Sequence, residues 1–113
     1  MAEADNFKVN LSLNETVKML DNGIINGSIT GERIDYHVIT GNDSMGVIVL
    51  VYEKHFYRAG NRLTLTVIVD NMNGVTNIHS IGSGGGEGFF KFDWGASEAF
   101  TSAPRSILNN HLI

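Results

Sequence analysis

The four histidines, His37, His55, His79 and His111, are the most versatile groups in this sequence, because an imidazole can ligate a metal or move a proton near neutral pH. None belongs to a His-x-His or His-Glu-x-x-His pattern. His37 follows Asp35 by two residues, a spacing that places both side chains on one face of a strand. If a strand carrying His79 lay alongside, Asp35, His37 and His79 would form a small metal or acid/base cluster. The plainer reading is that these are half-exposed histidines on the wet face of a sheet.

Other chemistry-bearing types are weaker as signals. Gly82-Ser83-Gly84-Gly85-Gly86-Glu87-Gly88 holds five glycines in seven residues, and glycine-rich turns can cradle phosphate with backbone amides. The spacing fits neither phosphate template, because the sixth place from Gly82 is Glu87 and Gly88 is followed by Phe89 rather than lysine. The segment therefore reads as a flexible connector. Gly95-Ala96-Ser97-Glu98-Ala99 lacks the second glycine of a nucleophile elbow. Glu32 and Asp35 are three apart on an expected strand, so they should point to opposite faces and cannot work as a carboxylate pair. Lys54, His55, Arg58 and Arg62 gather around one hairpin end with Phe56 and Tyr57 between them. That group could meet a phosphate or an acidic partner, although charges at a hairpin tip also guard against edge aggregation. No cysteine is present, so thiolate chemistry and disulfides are excluded.

Composition sets the frame for these groups. A chain of 113 residues with 42% hydrophobic and 18% charged content can build one core and is sized for one domain, residues 1–113. A net charge of −4 speaks against a nucleic-acid partner. The longest apolar run, Val47 to Tyr52, is six residues, far short of the ~20 that span a bilayer. The Met1–Asp5 stretch is acidic, with no apolar segment of the kind that marks a secretion signal, so a cytoplasmic location without membrane attachment is expected.

The elements that must position these side chains follow from periodicity. Phe7, Val9 and Leu11 alternate with polar residues and predict a short first strand. Ser12-Leu13-Asn14-Glu15 is a capping box. It opens a helix over 13–22 that Asn22-Gly23 should stop. Ile34, Tyr36 and Val38 alternate with Arg33, Asp35 and His37, which predicts a strand with one buried and one wet face. Val47, Val49 and Val51 point one way and Ile48, Leu50 and Tyr52 the other, so the next strand is apolar on both faces and should be central. Leu63 to Val69 is a further strand, and Asn73-Gly74 marks a hairpin turn. Val75 to Ile81 is more polar and reads as an edge strand. A C-terminal helix, capped by Asp93, should run over about 94–111, either kinked or divided at Pro104.

The expected fold is α+β with two layers, an antiparallel sheet with helices on one face, in the order β-α-β-β-β-β-α. This order of elements resembles that of the TBP-like and helix-grip folds, a likeness that concerns architecture and carries no activity. Two functions of different class follow. The first is a non-catalytic module that self-associates as a homodimer, because two short helices cover only one sheet face and the second apolar face needs a partner. Val47, Val49 and Val51, or else Ile48, Leu50 and Tyr52, would form that interface. The second is a binder of a small apolar ligand in a cavity between the C-terminal helix and the sheet, lined by Phe90, Phe92, Trp94 and Phe100, a group that otherwise serves as core. No catalytic constellation, metal site or cofactor is read, and an enzyme ranks third.

Overall fold

Ser12 accepts the Glu15 amide at 3.1 Å while Glu15 Oε1 takes the Ser12 amide at 3.2 Å. The capping box therefore starts helix α1, Leu13–Ile25, where the residue types require it. The computed structural model describes residues 4–27, 31–41, 45–56, 61–84 and 90–113, without the side chains of 56, 61, 84 and 90–98. Around α1 it places strand β1 (Asp5–Val9), then β2 (Glu32–Gly41), β3 (Gly46–Phe56), β4 (Asn61–Asp70) and β5 (Thr76–Gly84). Helix α2 (Phe90–Ile107) and a 3-10 turn over Asn109–His111 complete the chain.

All strand pairs are antiparallel, in the order β1-β5-β4-β3-β2. This is the expected two-layer α+β arrangement, with both helices on one face. Leu13, Val17, Leu20 and Ile24 of α1 and Phe100 of α2 meet Ile48, Leu50, Tyr52, Leu63, Leu65, Val67, Val69 and Ile78 in a single core. Buried polar groups on this face are satisfied. Ser80 Oγ donates to the Thr101 carbonyl at 2.9 Å, and Thr101 Oγ1 accepts the Gly82 amide at 2.6 Å, which fastens α2 to β5. The Asn73-Gly74 turn between β4 and β5 relies on Gly74 at φ +89°, a backbone state that glycine adopts without strain.

Several expectations are corrected. Gly23 does not stop α1. The helix passes through it to Ile25, and a methyl group at this position would lie 2.6 Å from Ile107 of α2, so the glycine permits close helix packing. Strand β5 is interior, between β1 and β4; Thr76 and Ser80 are buried and bond to Leu11 and Thr101, and its other polar residues point to the open face. It also runs to Gly84, so the first three residues of the glycine-rich segment are strand, while 85–88 lie outside the described residues. Strand β3 is next to the edge and is covered by helices on one face only. Helix α2 begins at Phe90, so Asp93 lies inside it. It continues through Pro104 as one helix and ends at Ile107, which leaves His111 in the 3-10 turn.

Candidate functional site

The two edges of the sheet are treated differently. At β1 the chain's own C-terminus pairs with the end of the strand, over Lys8–Asn10. The Asn10 amide donates to the His111 carbonyl at 3.0 Å, the Ile113 amide donates to the Lys8 carbonyl at 3.1 Å, and Val9 bridges to Leu112. At the opposite edge no described residue covers β2 in this way. Every one of its ten residues is exposed, including Ile34 (49%), Tyr36 (44%), Val38 (43%) and Ile39 (57%). The expected buried face of β2 is thus absent. Tyr36 and Val38 do face the helix layer, opposite Leu50 and Ile48, but the side chains that contact them leave both more than two-fifths open.

The base of β2 is held by a small polar clasp. Asp21 of α1 accepts the Arg33 guanidinium at 2.6 Å on one oxygen and the Tyr52 hydroxyl at 2.7 Å on the other. Burial pushes the Tyr52 phenol far above its ordinary range, and the hydrogen bond to Asp21 adds to the shift. Beyond this clasp β2 carries two irregularities, between Arg33 and Asp35 and between Val38 and Thr40, with Asp35–Val38 regular between them.

The face away from the helices is open. Val49 pairs with Ile68, and Val51 with Thr66, which pairs in turn with Ile81. The three valines and Ile68 are half-buried by their sheet neighbours and Ile81 is 38% exposed. At one end of this face the character becomes polar. Glu32 stands directly opposite Glu53, and His55 follows two residues along on the same side. Glu53 is 9% exposed, and its Oε1 is 3.1 Å from His55 Nε2 while Oε2 is 3.5 Å from Arg62 Nε. Sequence reasoning missed this group. Cross-strand register brings Glu32 and Glu53 together across 21 positions, and no local spacing signals it. The irregularity after Arg33 also turns Glu32 and Asp35 to the same face, where a regular strand would have set them on opposite ones.

The residues singled out from the sequence fall as follows. Ile48, Leu50 and Tyr52 lie under the helices, 0–5% exposed, while Val47, Val49 and Val51 occupy the open face. Asp35 and His37 are on β2 and His79 is on β5, with β3 and β4 between them, so the three cannot form a cluster; His79 Nδ1 instead hydrogen-bonds to Asn6 Oδ1. Lys54 sits on the helix side, its Nζ 5.6 Å from the centre of the Phe100 ring. His55 and Arg62 are on the other side, and Arg58 lies outside the described residues. The side chains of Phe90, Phe92 and Trp94 also lie outside the described residues. Phe100, 5% exposed, belongs to the core. It borders a groove of about 500 Å³ between the helices, where Ile24, Ala103 and Ile107 are its neighbours. Among the described residues no helix is long and apolar enough to cross a membrane.

These features define the protein as a two-layer α+β domain in which the C-terminus pairs with part of one sheet edge while the other edge, among the described residues, is uncovered. Over residues 1–112 the chain matches the model of a family described as a family of unknown function, DUF6054, and it belongs to that family. No curated protein and no solved structure matches it.

Proposed function

We propose that this chain is a non-catalytic module that self-associates, two copies meeting at β2. The observation that supports this reading most directly is the contrast between the sheet edges: the C-terminus pairs with the last residues of β1, whereas β2 offers ten exposed residues and, among the described residues, no backbone partner on its outer side. Such an edge is a template for another strand. The second copy fits because β2 is complementary to itself. In an antiparallel pair centred on Tyr36, each Asp35 stands opposite His37 of the other copy, and the two Tyr36 rings meet at the two-fold axis. The irregularities flanking Asp35–Val38 limit pairing to this short regular stretch and disfavour open-ended stacking.

Light scattering at micromolar concentration tests the proposal. A mass of about 25 kDa, twice the 12.3 kDa of one chain, is expected, and replacing Tyr36 by Asp should return it to 12.3 kDa. A wild-type mass of 12.3 kDa would overturn self-association.

A second reading places the contact on the open face, and the run of Val47, Val49, Val51, Ile68 and Ile81 on a face that no helix crosses favours it. A dimer that survives Tyr36→Asp but is lost with Val49→Lys would select this interface. The alternative function, an apolar ligand in the groove beside Phe100, predicts a retained small molecule in native mass spectra of the purified protein.

A further inference from the structure

The polar end of the open face carries chemistry that self-association does not use. We infer that Glu32, Glu53 and His55 form a binding site for a divalent transition-metal ion of the zinc class, spanning β2 and β3. The donor atoms come from one in-register cross-strand pair and from the residue two places further along on the same face, an arrangement that aims three long side chains at one point. One donor atom from each lies within 4.8 Å of the other two. Ligand atoms sharing an ion with bonds of ~2.0–2.2 Å are roughly 3–3.5 Å apart. The 3.1 Å between Glu53 Oε1 and His55 Nε2 already falls in that interval. Glu32 is exposed, so its side chain has room to rotate toward the other two.

Electrostatics points the same way. Two carboxylates directly opposite each other on neighbouring strands repel, and Glu53 is 9% exposed, so water screens it poorly. Arg62 touches only one oxygen of Glu53, at 3.5 Å, and is itself 63% exposed. Among the described residues no cation pairs with Glu32. A divalent ion would neutralise both carboxylates at once. One imidazole nitrogen with two carboxylate oxygens suits zinc or its first-row neighbours better than calcium or magnesium, which favour all-oxygen sets. Bound there, the ion would cross-link the start of the bare strand to the interior of the sheet, and its exposed side would keep water ligands.

Titration of the metal-free full chain with zinc chloride, followed by calorimetry and by the imidazole resonances in NMR, tests the site. One equivalent should bind, and the His55 resonances should move while those of His37, His79 and His111 stay in place. His55→Ala should weaken binding at least tenfold. Glu32→Gln, at an exposed position that folding tolerates, should weaken it by about tenfold, and its circular dichroism should match the wild type. Absence of binding would overturn the inference. So would binding that persists in both variants or that shifts a different histidine.

Discussion

The Tyr52 hydroxyl donates a 2.7 Å hydrogen bond to Asp21, and this contact joins the second layer of the fold to the strand beside its open edge. Tyr52 is fully buried, so Tyr52→Phe keeps the packing and removes only the donor. Asp21 retains Arg33 at 2.6 Å. Loss of one hydrogen bond to a charged acceptor should cost about 1.5–3 kcal/mol, read as a lower urea midpoint with an unchanged slope.

The same bond carries a pH signature. Burial raises the folded-state affinity of the Tyr52 phenol for its proton. Its contribution is therefore complete below the ordinary tyrosine value of about 10 and is lost as pH rises above it. Wild-type stability should fall more steeply between about pH 10 and 11 than that of Tyr52→Phe, and alkaline urea melts of the two proteins measure the difference.

Gly23 faces Ile107 so closely that an added methyl group would lie 2.6 Å from both Cδ1 and Cγ1 and 2.8 Å from Cγ2. Two effects oppose each other in Gly23→Ala. Alanine favours the helix by up to about 1 kcal/mol, while forcing a side chain aside costs about 1–3 kcal/mol. The steric effect should win in the wild-type background, with a small net loss. With Ile107→Ala already in place the sign should reverse, and Gly23→Ala should stabilise. A double-mutant cycle of thermal melts separates the two effects.

Gly23 also shows what a sequence conveys and what it withholds. The capping box at Ser12 was legible because its partners are three residues apart. The alternation that marks the strands was legible for the same reason, since periodicity is local, although the buried face it implies for β2 is absent. An Asn-Gly pair reads as a helix end only if nothing packs on it, and Ile107, 84 positions away, decides otherwise. Thr76 and Ser80 give β5 the polar look of an edge, yet both are buried and satisfied by Leu11 and Thr101 from distant elements. The pairing of Glu32 with Glu53 depends on register and on an irregularity after Arg33, neither of which leaves a local pattern. The open valine face was visible as an apolar excess, whereas the choice between the two faces of β3 awaited the helices.

Arg105 grips Asp5 with two nitrogens, Nε at 2.9 Å and Nη2 at 2.8 Å, tying α2 to β1. Chiefly through that hydrogen bond, Arg105 holds the Asp5 carboxyl below its ordinary value of 3.8. A depressed carboxyl stabilises the fold above its unfolded pKa and loses the effect as pH falls through the folded one. Asp5→Asn should therefore be less stable than wild type by about 0.5–1 kcal/mol at pH 6, a figure reduced for solvent screening of a partly exposed pair. The gap should narrow as pH falls below the ordinary carboxyl value of 3.8 and close once the folded-state carboxyl is protonated. Equal urea midpoints at pH 6 would show that the ion pair contributes nothing measurable.

The proposed self-pairing of β2 makes a prediction about charge order. In the two-fold arrangement centred on Tyr36, Asp35 of each copy faces His37 of the other, so every change at either position acts twice. Cross-strand side-chain pairs contribute about 0.2–1 kcal/mol each, and like charges directly opposite each other are destabilising. Replacing His37 by Asp sets two carboxylates against each other at both contacts and should weaken the dimer by about tenfold. Asp35→His alone removes the acidic partner at both contacts and should weaken it to a lesser degree. The combined variant, Asp35→His with His37→Asp, restores each pair with its order reversed and should bring the dissociation constant back to within about threefold of wild type. Both positions are exposed in the single chain, so the swap should leave its folding intact. Sedimentation equilibrium on the four proteins measures the effect. If the swap fails to recover affinity while circular dichroism stays native, β2 does not pair with itself in this register. If none of the four dissociation constants differs, the copies meet elsewhere, with the valine face the next surface to test.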